Sequence, residues 1–183
     1  ASGAGFRYAL GGHRESRIDV FVYPAGAEDR AQAMEQGMAE FKAGIHDAEK
    51  AGYYSDVRTV DDADFPLHAS TSPVDKGGSA TGDAEGERAL RGLVESTKPV
   101  GRRLRMQLDM QPLGIPMHSY GYLFYKQLYF FKVRVSAARE RIDEASFMAL
   151  ADDAVRTLVP AIEVANVGGC MDNTIEVPTE ADP

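Results

Sequence analysis

The sequence predicts an α+β fold, with a mainly antiparallel β-sheet flanked by helices in a three-layer α/β/α sandwich. The first observation is an aromatic and β-branched run over residues 120–135, broken by the polar pair Lys126 and Gln127. This pattern is typical of two antiparallel strands joined by a tight turn, and its apolar content places the hairpin at the centre of the sheet. The second observation is that strands and helices do not alternate along the chain, which favours antiparallel pairing.

Four further segments have the pattern of strands. Residues 6–10 and 17–23 flank a turn at Gly11, Gly12 and His13, and residues 53–60 resume an extended character. In residues 104–110 the apolar and polar side chains alternate, so one face is buried. The apolar row is Leu104, Met106, Leu108 and Met110, and the polar row is Arg103, Arg105, Gln107 and Asp109.

Two segments have the periodicity of amphipathic helices. The first spans residues 28–51, with Gly52 as its stop and with Gly37 and Gly44 as positions of close packing on the sheet. Its apolar stripe is Ala31, Met34, Met38, Phe41, Ile45 and Ala48. The second spans residues 142–159, with Asp143 as the N-cap and with Pro160 stopping or kinking it. Its stripe is Phe147, Leu150, Ala151, Ala154, Val155 and Leu158.

The 183 residues predict a single globular domain over 1–183 with a long flexible loop at about 69–87, where almost no core-forming residue occurs. Residues 88–95 fit either a strand or a helix. Residues 174–177 fit an added edge strand. No internal repeat is present.

Composition limits the partners. The chain has 20 Lys and Arg against 28 Asp and Glu, a formal net charge of −8, which argues against nucleic acid as a general partner. No stretch reaches the roughly 18 apolar residues of a membrane span. The chain starts with small residues and no initiator Met, as after signal-peptide removal or at an engineered boundary. We therefore expect a periplasmic or secreted protein of bacterial type, with a lipid anchor upstream of Ala1 as one form of it.

The residues that usually carry chemistry form no motif. Cys170 is the only cysteine and has no neighbouring base, so we expect a small buried side chain rather than a reactive thiol. The histidines His13, His46, His68 and His118 lack metal-ligand spacing. The acidic segment Asp61, Asp62, Ala63 and Asp64 resembles a fragment of a calcium loop without its Gly and late Glu, so a solvated loop is expected. The glycine-rich residues 77–82 do not fit a phosphate-binding loop. We expect no catalytic residue, no metal and no cofactor.

One basic cluster is a candidate binding surface. If their strands are neighbours, alternation places Arg103, Arg105, Lys132 and Arg134 together on the solvent face of the sheet, where they would contact an acidic partner protein. The other interpretation is a solvated strand face, balanced by Asp109 and Glu95. Tyr120 is assigned to the same partner surface, although the tyrosines of this run fit core positions as well.

The order of elements resembles a known family. A first hairpin that ends in Asp19-Val20-Phe21-Val22-Tyr23-Pro24 before a long helix is similar to the start of the fold shared by PsbP-type photosystem proteins and Ran-binding Mog proteins. The segment from Tyr122 to Val135 before a second helix is similar to that fold's closing half. The resemblance spans most of the chain as a pattern and includes no specific motif. It implies an α/β/α sandwich and an accessory or binding role without catalysis.

The leading functional hypothesis is a non-enzymatic exported accessory protein that binds a partner protein, whose identity and oligomeric state the sequence leaves open. One alternative is a hydrolase whose site assembles in space from Asp19, His46, or His118 with Ser119. Another is a carrier of a small ligand in a cavity between helix and sheet, lined by Tyr and Met side chains.

Overall fold

The computed structural model describes residues 3–10, 13–25, 29–67 and 100–164. Their strands form one six-stranded sheet in which all neighbours are antiparallel, in the order β1-β2-β6-β5-β4-β3. The strands are β1 (Ala4–Leu10), β2 (His13–Pro24), β3 (Tyr54–Pro66), β4 (Val100–Met110), β5 (Ile115–Lys126) and β6 (Tyr129–Ala138). The helices are α1 (Arg30–Lys50) and α2 (Glu144–Ala161). The predicted α+β class with a mainly antiparallel sheet is confirmed.

The predicted aromatic hairpin is β5 and β6, and it occupies the two central positions of the sheet. Its two-residue turn is Gln127 and Leu128, which both have positive φ (54° and 66°). Such a turn matches the right-handed twist of the strands that it joins. The Leu128 carbonyl accepts a hydrogen bond from the amide of Ala25 at 2.8 Å, so the turn also holds the end of β2.

The sheet has two faces, which we name after the helix that packs on each. The α2 face carries Tyr122, Phe131 and Val133, which are fully buried in one cluster with α2. The side chains that α2 contributes are Phe147, Ala151, Val155 and Val159. The predicted N-cap is confirmed, because the Asp143 carboxylate accepts from the amide of Ser146 at 3.0 Å. Leu150, predicted to be part of the stripe, is 37% exposed. The helix runs one residue past Pro160.

The α1 face carries Leu104, Met106, Leu123 and Phe130, which pack with α1. The buried residues of the helix are Ala33, Gly37, Met38, Phe41 and Ile45. The predicted stripe is therefore right from Met38 to Ile45 and wrong at Ala31, which is exposed. The helix begins two residues later than predicted, with Asp29 as its N-cap, so Ala31 lies in the first turn and its amide donates to the Asp29 carboxylate.

Missing Cβ atoms let α1 approach the sheet. A Cβ on Gly37 would lie 2.9 Å from Leu123, so this predicted close contact is confirmed. On the sheet side, a Cβ on Gly121 would collide with the ring of Phe41. Gly44 was predicted to play the same role, but a Cβ there meets nothing within 4 Å. Gly52, with φ of 78°, follows the end of the helix, as predicted.

The acidic segment 61–64 is not the predicted solvated loop. It belongs to β3 and pairs with residues 102–105 of β4. Asp is a poor strand former, but here each of Asp61, Asp62 and Asp64 lies within ion-pair distance of an arginine of β4. The loop at 69–87, the segment 88–95, His68, Cys170 and the segment 174–177 lie outside the described residues.

Gly121→Ala should lower the free energy of unfolding by about 1–3 kcal/mol, because the new methyl group overpacks the contact with Phe41. The cost should shrink when Phe41→Leu is combined with it, as measured by a double-mutant cycle in urea. Gly44→Ala is the matched control. Gly44 lies on α1, the helix that carries Phe41, and an Ala there would fill open space. This substitution should raise the free energy of unfolding by up to about 1 kcal/mol. Equal effects of the two alanines would contradict the described packing of α1.

Candidate functional site

The four predicted cations do not share one face of the sheet. Arg103 is the register partner of Tyr122 and so lies on the α2 face, whereas Lys132 is the partner of Leu123 on the α1 face. Arg105 follows Arg103, and Arg134 follows Lys132, two residues along the same strands. The two strands are not neighbours, since β5 lies between them, and the prediction failed because their apolar rows point to opposite faces of the sheet. The apolar row of β4 faces α1, while that of β6 faces α2.

Arg103 and Arg105 belong to a polar network between sheet and helix, which we call the interface network. Its members are Asp61, Arg103, Arg105, Tyr120, Tyr122, Glu144 and Asp152. Arg103 donates to Asp152 at 2.8 Å, and the Tyr122 hydroxyl donates to the same carboxylate at 2.6 Å. Arg105 donates to Asp61 at 3.2 Å. Among the described residues the counter-ions are thus Asp61, Glu144 and Asp152 rather than the predicted Asp109, and the predicted Glu95 lies outside the described residues.

Burial dominates the electrostatics of this network. Burial, and then the hydrogen bond to Asp152, raise the pKa of Tyr122 far above its usual value, so its hydroxyl stays protonated. Tyr120 is 1% exposed, which removes it from any partner surface in this structure. The Nε atom of Arg103 is buried and has no hydrogen-bond partner among the described residues. Its guanidinium lies 5.7 Å from the centre of the Phe65 ring. The network joins α2 to the sheet and leaves little accessible surface on these side chains for a partner to contact.

Asp152→Ala should lower the free energy of unfolding by about 3–5 kcal/mol, because it leaves the Arg103 charge and the Tyr122 hydroxyl without their shared acceptor. Urea denaturation at neutral pH measures this loss. Asp153→Ala is the control, since the neighbouring side chain is exposed and should change stability by less than about 0.5 kcal/mol. Similar small losses for both variants would show that the network adds nothing to stability.

A different group of cations gathers on the α1 face, where we define the cationic face as Arg7, Arg17, Lys132 and Arg134 around Asp19. Asp19 is only 5% exposed. One of its oxygens accepts from Arg7, and the other accepts from Arg17 at 2.9 Å. The hydrogen bond and the charge of Asp19 raise the pKa of Arg7. The Arg7 side chain remains 67% exposed.

Arg134 completes the cluster next to Asp19, its register partner on β2. Its Nε donates to the hydroxyl of Ser119 at 3.0 Å, and its Nη1 donates to the hydroxyl of Tyr54 at 3.0 Å. The guanidinium also lies 4.8 Å from the centre of the Tyr54 ring. These contacts fix the position of the charge without neutralising it, because both acceptors are uncharged.

Lys132 lies beside Arg134 on the same strand. Its Nζ is 4.0 Å from the centre of the Phe41 ring, a cation–π contact with α1. Burial, and then repulsion by Arg134, lower the pKa of Lys132. No described carboxylate lies within 4.0 Å of it. The charge of Glu40 acts in the opposite direction and raises the pKa of Lys132. Four cations therefore lie on one face of a protein of net charge −8, and only Arg7 and Arg17 contact the carboxylate of Asp19.

Half of this cluster was predicted from the sequence. Lys132 and Arg134 were predicted to bind a partner, whereas Arg7 and Arg17 were missed. A signal was present, since Arg17 and Asp19 alternate with the apolar residues of β2. The register of β1, β2 and β6 brings the three strands' charges together, and the sequence does not state that register.

The alternative hydrolase residues do not come together. His118 stacks on Phe147 with ring centres 5.2 Å apart, on the α2 face. Ser119 lies on the α1 face, 3.3 Å from the hydroxyl of Ser136. His46 is exposed on α1, near Glu49, and Asp19 is held by arginines. Burial lowers the pKa of His118, and its Nδ1 has no hydrogen-bond partner among the described residues.

The cavities also differ from those expected of a small-ligand carrier. A cavity of about 10 Å³ on the α1 face includes Tyr54, Met110 and Met117 in its lining, which is room for about one water molecule. A larger groove of about 290 Å³ is open and is lined mainly by charged or polar side chains, namely Asp56, Arg58, Gln107, Asp109 and Arg139. Of these two cavities, only the small one has Tyr and Met side chains in its lining, as the carrier hypothesis predicted.

Within the described ranges, no group of three or more His, Asp or Glu side chains is placed to hold a metal ion. In the same part of the chain, neither helix combines the length and the apolar composition that crossing a membrane requires. Comparison with known protein families finds no matching family model, and comparison with curated protein sequences finds no significant match.

Asp62 connects α1 to the sheet, and its ion pairs should respond to pH. Burial alone would raise the pKa of Asp62, but hydrogen bonds from Lys42 and Arg102 outweigh this and hold the pKa below its usual value. A carboxylate with a lowered pKa in the folded state stabilises the fold above its unfolded-state pKa. That contribution is lost as the pH falls through the folded-state pKa.

Asp62→Asn should therefore lower the free energy of unfolding by about 1 kcal/mol at neutral pH, a modest loss because Lys42 and Arg102 are partly exposed. The difference from the unmodified protein should shrink as the pH falls below the usual Asp pKa of about 3.9, and it should vanish once the pH is below the lowered pKa of the folded state. Denaturation in urea across a pH series measures both. Asp64→Asn, at a 79% exposed side chain on the same strand, should show almost no difference at any pH. A constant loss across the series would exclude an electrostatic origin.

Proposed function

We propose that this protein is a non-enzymatic accessory protein that binds an acidic partner protein through the cationic face. The observation that carries the proposal is the gathering of four cations on one face of the sheet: Arg7 and Arg17 bind the carboxylate of Asp19, and Arg134 and Lys132 lie on the neighbouring strand, opposite Asp19 and Phe21. Arg103 and Arg105, predicted to share this role, are assigned to the interface network instead. An acidic partner fits because the cluster opposes the net charge of the chain.

Stability gives a weak reason for such a cluster. Exposed ion pairs are worth only about 0–1 kcal/mol, and Arg7 is an exposed partner of Asp19. Lys132 and Arg134 carry like charges two residues apart on β6, and the pKa of Lys132 is lowered first by burial and then by repulsion from Arg134. A carboxylate supplied by a partner would relieve this repulsion. Phe21, 40% exposed on the same face, adds an apolar contact next to the charges.

We also propose the three-layer α/β/α arrangement for the described part of the chain. It is supported by the contacts of Tyr122 with the α2 cluster and of Leu123 with the α1 cluster, since successive side chains of a strand point to opposite faces. The resemblance to PsbP-type and Mog proteins and the exported location remain predictions.

The test uses two charge-neutralised variants. Arg7→Gln combined with Arg17→Gln removes two cations from the face, while the Gln side chains still donate hydrogen bonds to Asp19. Lys50→Gln combined with Arg141→Gln removes the same charge from exposed positions outside the cluster. The probe is fluorescein-labelled oligoglutamate, followed by anisotropy at increasing salt concentrations.

We expect the first variant to weaken binding by about tenfold, equivalent to about 1.4 kcal/mol, and to reduce the salt dependence of binding. The control variant should change the affinity and its salt dependence much less. Equal losses in the two variants would show that only the net charge matters. No loss in the first variant would place the binding surface elsewhere on the protein.

A further inference from the structure

The two edges of the sheet differ. An edge strand presents unpaired backbone groups, and proteins protect such strands with bulges, charges or prolines. The edge strand β3 has two register shifts, between Ser55 and Arg58 and between Thr59 and Asp61, and it carries several acidic residues as well as Pro66. These features make β3 a poor template for another strand.

The other edge, β1, has fewer of these protections. Its pairing with β2 is regular from Ala4 to Ala9, with one register shift between Ala9 and Leu10, and its sequence contains no proline and a single charge, Arg7. Among the described residues, β2 is its only strand neighbour in the sheet. The outer edge of β1 is therefore available to an extended chain in this part of the structure.

The side chains of β1 are exposed on both faces and differ in kind. Phe6 and Tyr8 lie on the α2 face and are 36% and 46% exposed. Arg7 lies on the α1 face, bound to Asp19 at the border of the cationic face. A strand added beside β1 would alternate between an aromatic surface and a cationic one.

We propose that the outer edge of β1 is the docking site for an extended peptide segment of the acidic partner, added to the sheet as a seventh strand. The proposal rests on the proposed function, because the acidic side chains of the segment would face Arg7 and the cationic face. Its alternate side chains would be apolar and would cover Phe6 and Tyr8. Backbone hydrogen bonds would supply affinity, and the alternation would supply specificity.

Charge favours this occupant over a second copy of the chain. If two copies paired antiparallel through β1 about a two-fold axis, their Arg7 side chains would lie on the same face. In any register that overlaps most of the strand they would be directly opposite or diagonal neighbours, where like charges destabilise pairing. An acidic side chain of a partner segment would instead be attracted to Arg7 at the same position.

The experiment uses a nine-residue peptide in which glutamate alternates with valine or phenylalanine. A control peptide has the same composition with the glutamates in one block. Two further versions carry backbone N-methyl groups on the odd or on the even residues, so that each blocks hydrogen bonding along one edge of the peptide only. Binding of each labelled peptide to the full chain is measured by fluorescence anisotropy.

We expect the alternating peptide to bind and the block peptide to bind at least about tenfold more weakly. One N-methylated version should lose at least about tenfold in affinity, because several backbone hydrogen bonds are removed, while the other should bind normally. Equal behaviour of the two N-methylated versions, whether both bind or neither binds, overturns pairing at the edge.

The outcomes separate this proposal from the proposed function. If Arg7→Gln with Arg17→Gln weakens the alternating peptide but both N-methylated versions bind, the cationic face is correct and the edge pairing is wrong. If the alternating peptide does not bind and the protein forms a concentration-dependent dimer by sedimentation, a second copy is the occupant of the edge and this proposal fails. If neither oligoglutamate nor the alternating peptide binds, both proposals fail.

Discussion

Burial of β5 on both faces is the constraint on which the rest of the structure depends. Every residue from Met117 to Phe124 is buried, although successive side chains point to opposite faces of the sheet. Such a strand needs a covering element on each side, because a large apolar side chain left in water would forfeit about 1.5–3 kcal/mol. The α2 cluster covers Tyr122, and the α1 cluster covers Leu123. Both helices are thus required by a single strand.

The two helices meet this requirement by different physical means. α1 approaches through missing side chains, where Gly121 leaves room for the ring of Phe41. α2 contacts the sheet through aromatic packing and also through charged groups, with Asp152 bound by Arg103 and Tyr122. A buried ion pair costs desolvation and is weak evidence for stability, but it penalises incorrect placement strongly. The interface network therefore specifies where α2 sits more than how firmly it is held.

The sequence predicted those features that depend on one segment at a time. The central hairpin followed from its aromatic density, the Asp143 cap from its position before an apolar stripe, and the β4 strand from the alternation of Leu104 and Met106. The strand character of residues 61–64 was missed, since Asp opposes strand formation. A signal was available in the basic run at 102–105, whose charges complement that acidic segment, but it becomes visible only when the two segments are compared.

The candidate site depended on relations between segments, and there the sequence was less informative. Alternation along β4 and along β6 was right, yet the assignment of Arg103 and Lys132 to a common face was wrong. Alternation states which side chains share a face within a strand, but not which of the two faces that is. This choice is made by register and by the positions of the helices. The proximity of Arg7, Arg17 and Arg134 likewise arises from the pairing of three strands.

The inequality of the two sheet edges also bears on self-association. A β-sheet polymerises when one edge of a molecule can pair with the other edge of the next, a head-to-tail contact that repeats without closing. The bulged and acidic β3 is a poor second half of such a contact with β1. Head-to-tail growth along the described sheet is therefore disfavoured, although β1 has only β2 as a strand neighbour among the described residues.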